Sequence, residues 1–129
     1  MSKKTYTGIN IQWPISNEII SGNKIIETRT YPIPSNYLNK EMLLIETPGK
    51  SKSFKSRIVA IVKFTNCKEY KNQDDFYKDY PKHLVDKNSP WAWGGKKKYG
   101  WEVKIIKIFT PPIEYLGKKG IVYTKNIII

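Results

Sequence analysis

The sequence predicts a mainly β, α+β fold: five or six short strands curled into a pseudo-barrel, with two or more short helices plugging its ends. Three observations carry this expectation. β-branched and aromatic residues recur with period-2 alternation in short runs bounded by Pro, Gly, Asn and Ser. Only two stretches, about 14–21 and 72–80, combine helical spacing with helix-end signals. The chain has 129 residues, 40% of them hydrophobic and 13% aromatic. That is enough for a single domain over residues 1–129 with a core of its own, since a chain of this size buries roughly two-thirds of its unfolded surface.

In chain order, Tyr6–Trp13 alternates Ile9, Ile11 and Trp13 against Asn10 and Gln12, and is expected as a strand. Pro14 suits a first helical turn, Ile15, Ile19 and Ile20 share a helix face, and Gly22 suits the position just past its end. Lys24–Tyr31 reads as the next strand. Alternation there puts Ile25, Glu27 and Arg29 on one face and Ile26, Thr28 and Thr30 on the other. Lys24 follows a Ser-Gly-Asn turn, so its face is left open. Pro32, Pro34, Ser35 and Asn36 mark a loop. Glu41–Thr47 is a strand ended by Pro48-Gly49, followed by a basic loop over residues 50–57. Ile58–Phe64 is the most apolar run and is expected at the sheet's centre. Asn72 suits a helix cap, Asp74 and Asp75 suit its first turn, and Phe76 and Tyr80 would face the core. Tyr99–Phe109 is a long strand with Trp101, Val103 and Ile105 on one face. Pro111-Pro112 is expected to break it, and Ile121–Tyr123 to close the fold.

Charge narrows the function classes. Lys and Arg number 23 against 11 Asp and Glu, a formal charge of +12. Such an excess favours a polyanionic partner, nucleic acid before an anionic membrane surface. Cys67 is the only cysteine and His83 the only histidine. No intrachain disulfide, Cys-based zinc site or two-His metal motif can form, so no cofactor or metal is expected. The lone cysteine fits a reducing, cytoplasmic setting. The N-terminus lacks the apolar stretch of a signal peptide, and no apolar run is long enough to span a membrane.

The candidate site residues fall in three places. Lys24, Glu27 and Arg29 concentrate charge on a strand expected to be half buried, where charges need partners or a ligand. Arg29 and Arg57 are the only arginines, and Arg alone offers a planar fork for two-point contacts. Either a structural Glu27–Arg29 bridge or a ligand site satisfies this pattern. Lys50, Lys52, Lys55 and Arg57, with Phe54, form either a solvated connection or a phosphate-contacting loop. Trp91 and Trp93 beside Gly94-Gly95 and Lys96, Lys97 and Lys98 form either a barrel lid or a base-stacking platform with backbone-binding lysines. Trp13 is a further stacking candidate. His83 is expected as a surface or packing residue, and Cys67 as a half-buried small one.

Gln12-Trp13-Pro14, a short helix, Gly22-x-Lys24-x-x-Glu27-x-Arg29 and a Pro-containing turn before an apolar strand together resemble the ASCH domain, a family of the PUA-like superfamily. Tyr99-Gly-Trp101, Pro111-Pro112-Ile113 and Gly117-x-x-Gly120-Ile121 agree, so the resemblance spans about residues 7–125. It implies a PUA-like pseudo-β-barrel with Lys24 and Glu27 at a cleft, and RNA or modified bases as ligands. Some family members are similar to enzymes, among them a ribonuclease and a bacterial amidohydrolase acting on N4-acetylcytidine. The amidohydrolase's functional lysine matches Lys24. Its threonine nucleophile falls where this chain has Glu27, and its functional glutamate has no matching position here.

Three functions are therefore weighed. The first is a nucleic-acid-binding module, RNA favoured over DNA, using an unpaired or modified base. The second is a small hydrolase on RNA or a modified nucleoside, with Lys24 and Glu27 as catalytic residues. The third is a protein-interaction domain whose cleft charges are structural.

Overall fold

The computed structural model describes residues 3–49, 54–115 and 122–129. Six strands and three short helices run in the order β1 (Thr5–Gln12), α1 (Ile15–Ile20), β2 (Ile26–Arg29), β3 (Glu41–Thr47), β4 (Arg57–Tyr70), α2 (Gln73–Lys78), α3 (Tyr80–His83), β5 (Lys98–Glu114) and β6 (Tyr123–Ile128). The strands form one mixed sheet in the order β2-β5-β4-β3-β1-β6. β1 and β3 are parallel, with Ile9 opposite Leu44, and the other pairings are antiparallel.

β1 and β2 are separated in the sheet by three strands, yet Ile11 and Gln12 of β1 line one cavity with Glu27 and Arg29 of β2. The sheet is therefore curled until these strands approach without pairing, and α1 links them across the gap. The inside of the curl holds Ile9, Ile11, Met42, Leu44, Val62, Phe64 and Trp101 in one cluster. Leu43, Ile45, Ile58, Ile61 and Ile127 form a second cluster on the other face of the same strands. Apolar residues of both parities in β3 and β4 are thus buried, and the expected central placement of Ile58–Phe64 holds. The third cluster, Tyr70, Phe76 and Val85, anchors α2 and α3 against the end of β4.

Several boundaries differ from the sequence expectation. The strand expected over 24–31 is confined to Ile26–Arg29, because the backbone N–H groups of Lys24 and Ile25 turn to the carbonyls of Glu18 and Lys82, although the Ile25 carbonyl still accepts from Val103 of β5. β4 continues past Phe64 through Cys67 to Tyr70, held by β5 along its length. The helix expected over 72–80 is two helices, with Asn72 capping α2 and Pro81 opening α3. Phe76 faces the core, but Tyr80 begins the next helix and is exposed. Pro111-Pro112 does not end β5. The prolines lie in a stretch where the register with β4 shifts between Ile58 and Ala60, and among the described residues no strand ladder runs along the outer edge beyond Glu102. A residue without an N–H is tolerated where no ladder partner needs one. The closing strand is Tyr123–Ile128 rather than 121–123, and Gly117, Gly120 and Ile121 lie outside the described residues. Among the described residues, no helix is long and apolar enough to cross a membrane.

Candidate functional site

The cavity between β1 and β2 has a volume of about 930 Å³. Its walls come from the end of β1, the start of α1, all but the first residue of β2, the turn after β3, Phe54–Ser56, the end of α3 and the start of β5. Four cationic side chains, Lys24, Arg29, Lys55 and Lys98, line it against two carboxylates, Glu18 and Glu27.

Glu27 is the hub. It is 6% exposed, and one oxygen lies 3.7 Å from the Lys24 ammonium while the other accepts from Arg29 at 3.1 Å. The Thr28 backbone N–H donates to it at 3.2 Å. Glu27 and Arg29 share a face, as period-2 alternation requires. Lys24 reaches that face from outside the strand, because the turn after α1 aims it inward. Its ammonium also donates to the carbonyl oxygen of His83, tying the β2 entry to α3. Burial pushes the Lys24 amine below its ordinary range, and the charge of Glu27 opposes that shift without cancelling it. Arg29 lies 5.7 Å over the Trp101 ring, while its Nε is buried without an acceptor. Tyr31 packs edge-on against the same Trp101, whose indole N–H donates to the Tyr31 carbonyl at 3.3 Å.

His83 is wholly buried, a packing residue rather than a surface one. Its ring stacks on Phe76 at 4.2 Å. Nδ1 accepts from the Val85 N–H at 3.0 Å and Nε2 lies 2.7 Å from the Phe76 carbonyl oxygen. This pair of contacts fixes the neutral tautomer with the proton on Nε2. Burial lowers its pKa, and the Lys24 charge acts in the same direction. The ring has no role facing the cavity beyond holding its own carbonyl against Lys24.

The sequence candidates separate in space. Lys24, Glu27, Arg29, Lys55 and Trp91 line the cavity, Trp91 being 46% exposed at its mouth. Trp13 and Arg57 do not; both line a smaller notch of about 180 Å³. Trp93 packs on Phe76 at 5.7 Å, in the third cluster. Lys97 pairs with Glu69 at 3.6 Å, and Lys96 is exposed outside the cavity. Lys50 and Lys52 lie outside the described residues. Sequence reasoning grouped Lys98 with Lys96 and Lys97 and did not single it out. Of the three consecutive lysines it alone begins β5, and it is only 7% exposed in the cavity wall. Burial lowers its pKa, with a smaller contribution from Lys96. Its place directly before Tyr99, at the start of the β5 pattern, was the available signal.

Among the described residues, no cluster of His, Cys, Asp and Glu could hold a metal ion. Chemically, the cavity can bind an anion, offer a carboxylate acceptor, and present a lysine amine whose proton is held less tightly than usual.

A curled mixed sheet with a charged cleft between two strands that do not pair with each other defines a small barrel-like cleft protein. Comparison of the sequence with family models and with curated proteins finds no match. Comparison of the fold does. The crystal structure of ASCH from Zymomonas mobilis aligns over 93% of this chain and 86% of that one, with a TM-score of 0.71 and 14% identity. A Tyr-to-Phe mutant of that protein aligns over 95% and 90%, at 0.70 and 14%. A Ser-to-Ala mutant aligns over 93% and 87%, at 0.65 and 12%. The chain has the ASCH fold.

Proposed function

We propose that this chain is a nucleic-acid-binding domain, RNA favoured over DNA, that takes an unpaired or modified base and its phosphate into the cavity between β1 and β2. One observation carries the reading: buried positive charge in the cavity wall that lacks an acidic partner. Lys98 is nearly enclosed, and no carboxylate among the described residues pairs with it. Arg29 keeps a buried Nε without an acceptor beside it. A buried cation is costly unless an anion meets it. A phosphate oxygen is the kind of acceptor such donors lack, and charge-assisted hydrogen bonds of this kind are the strong ones. Trp91 and Tyr31 offer exposed aromatic faces on the same cavity for a base, and the +12 charge steers a polyanion toward it. The ASCH fold is consistent with this class of ligand.

The test is a titration with a short single-stranded RNA, the DNA of the same sequence, a short duplex and a set of nucleosides, each at two salt concentrations. The expected result is tightest binding to single-stranded RNA, weakening with salt by about −0.7 in log–log slope per phosphate contacted. Lys98→Met should reduce that slope by about one such contact. Binding that ignores salt, or no binding at low salt, overturns the reading.

A second reading, a hydrolase on RNA or a modified nucleoside, is favoured by Lys24 alone. Its amine, displaced downward by burial and set against Glu27, has the character of a general base. Substrates recovered from the titration would be checked for cleavage or deacylation. Turnover abolished in Lys24→Ala with binding retained supports this reading, and unchanged turnover removes it.

A further inference from the structure

We infer that the notch containing Trp13 is a second base-stacking subsite, which holds the nucleotide next to the one in the cavity. The inference rests on the nucleic-acid reading above. Trp13 is 40% exposed, and the notch around it is lined also by Arg57, Ile108 and Pro112. Residues that line this notch adjoin residues that line the cavity at three places. Gln12 lines the cavity and Trp13 the notch; Thr47 lines the cavity and Glu46 the notch. Phe54 lines the cavity while its ring lies 4.3 Å beneath the Arg57 guanidinium, which lines the notch.

Gly49, which lines the cavity, lies close against the backbone of Trp13, which lines the notch. Gly49 has φ +59, and a Cβ there would stand 3.0 Å from the Trp13 carbonyl oxygen and 3.2 Å from the Gln12 amide oxygen. Each depression carries a cation that a phosphodiester could meet. Lys55 is exposed on the cavity side, where it lies 3.9 Å from the likewise solvent-facing Glu114, and the Arg57 side chain is 38% exposed on the notch side. The one carboxylate in the notch, Glu46, is 4% exposed and already committed, to Arg57 Nε at 2.8 Å and to the Ser16 hydroxyl at 2.7 Å. A strand leaving the cavity across Gly49 therefore meets a cationic edge and then a free indole face. An aromatic face with a cation beside it is how successive unpaired bases are held.

The experiment is calorimetric titration of the full chain with AMP, the diadenylate and triadenylate, and their deoxy counterparts. It is run on the parent, Trp13→Ala and Trp13→Phe, after thermal melts show that each variant is folded. Affinity is expected to rise from AMP to the diadenylate, and Trp13→Ala should remove about tenfold or more of that rise while leaving AMP binding unchanged. Trp13→Phe should retain most of it. Tryptophan fluorescence in a Trp91→Phe background should be quenched further by the diadenylate than by AMP, and the extra quenching should vanish when Trp13 is also replaced. A rise with length that Trp13→Ala leaves intact overturns the subsite alone. No binding by any probe overturns the nucleic-acid reading and the subsite with it. A rise seen only with the ribo-oligomers assigns the strand as RNA, and an equal rise with both assigns the subsite to either backbone.

Discussion

Replacing Glu27 by Gln keeps the shape of the hub and removes its charge. Two cations then face each other across a neutral amide, with Lys24 only 5% exposed. Breaking a buried ion pair by removing one partner costs about 3–5 kcal/mol. The Lys24 share of that cost has a ceiling, because the ammonium can release its proton instead of staying buried and unpaired. Driving a lysine from its ordinary value down to neutrality corresponds to about 5 kcal/mol. The loss should therefore fall near 3–4 kcal/mol at pH 7, read as a lower urea midpoint with an unchanged slope. The pH dependence carries the diagnosis. Lys24 is already depressed in the folded state, so between its folded pKa and its ordinary 10.5 the unfolded chain binds more protons and stability rises with pH. Without Glu27 the folded value falls further, the window widens, and the variant should recover more stability than the parent between pH 7 and 10. Adding Lys24→Met to Glu27→Gln should restore part of the loss in a double-mutant cycle. A loss below about 1 kcal/mol with a parental pH slope would refute the hub, since exposed pairs are worth no more than that.

His83 is depressed by burial below its ordinary 6.5. Its contribution is complete above that pH and is lost as the pH falls through it toward the folded value, so urea midpoints should drop on acidification, and His83→Asn should flatten that segment. Gly100→Ala should cost about 1–3 kcal/mol in urea unfolding. A Cβ there would stand 2.8 Å from the Tyr70 hydroxyl and 3.0 Å from an Ile26 methyl, and Tyr70 cannot swing aside because it donates to Asp79 at 2.8 Å. Trp101→Phe keeps the core apolar but leaves the Tyr31 carbonyl without its indole donor, which costs about 1–3 kcal/mol. It should also weaken RNA binding, because Arg29 and Tyr31 both rest on that ring.

Strand content and the central place of Ile58–Phe64 were legible because alternation and apolar runs report burial directly. The pairing of Glu27 with Arg29 was legible from their spacing, and the ASCH resemblance from the residues around it. What the sequence hid was set by tertiary contacts. Lys24 lies on the wrong parity for its strand and reaches the cavity through a turn whose N–H groups are claimed by Glu18 and Lys82. Pro111-Pro112 reads as a break, but a strand without an outer neighbour needs no donor there. Trp91 and Trp93 are two apart in a loop, and one faces the cavity while the other completes a core. Lys98 looks like its two neighbours, and only the start of β5 separates it from them.

The curl that brings β1 to β2 leaves a seam with no ladder across it. The walls of that seam belong to segments far apart in the chain, from Gln12 to Trp91 and Lys98. A molecule lodged there acts as a clasp across a place where the sheet does not stitch itself shut. It would bind the folded chain and not the unfolded one, so it should raise the stability of the whole domain, by about 2.7 kcal/mol at a hundred times its Kd. The melting temperature of the chain thus becomes a ligand detector that responds to any occupant, whatever its chemistry. A panel of nucleotides and modified nucleosides can be ranked by how far each one holds the seam closed.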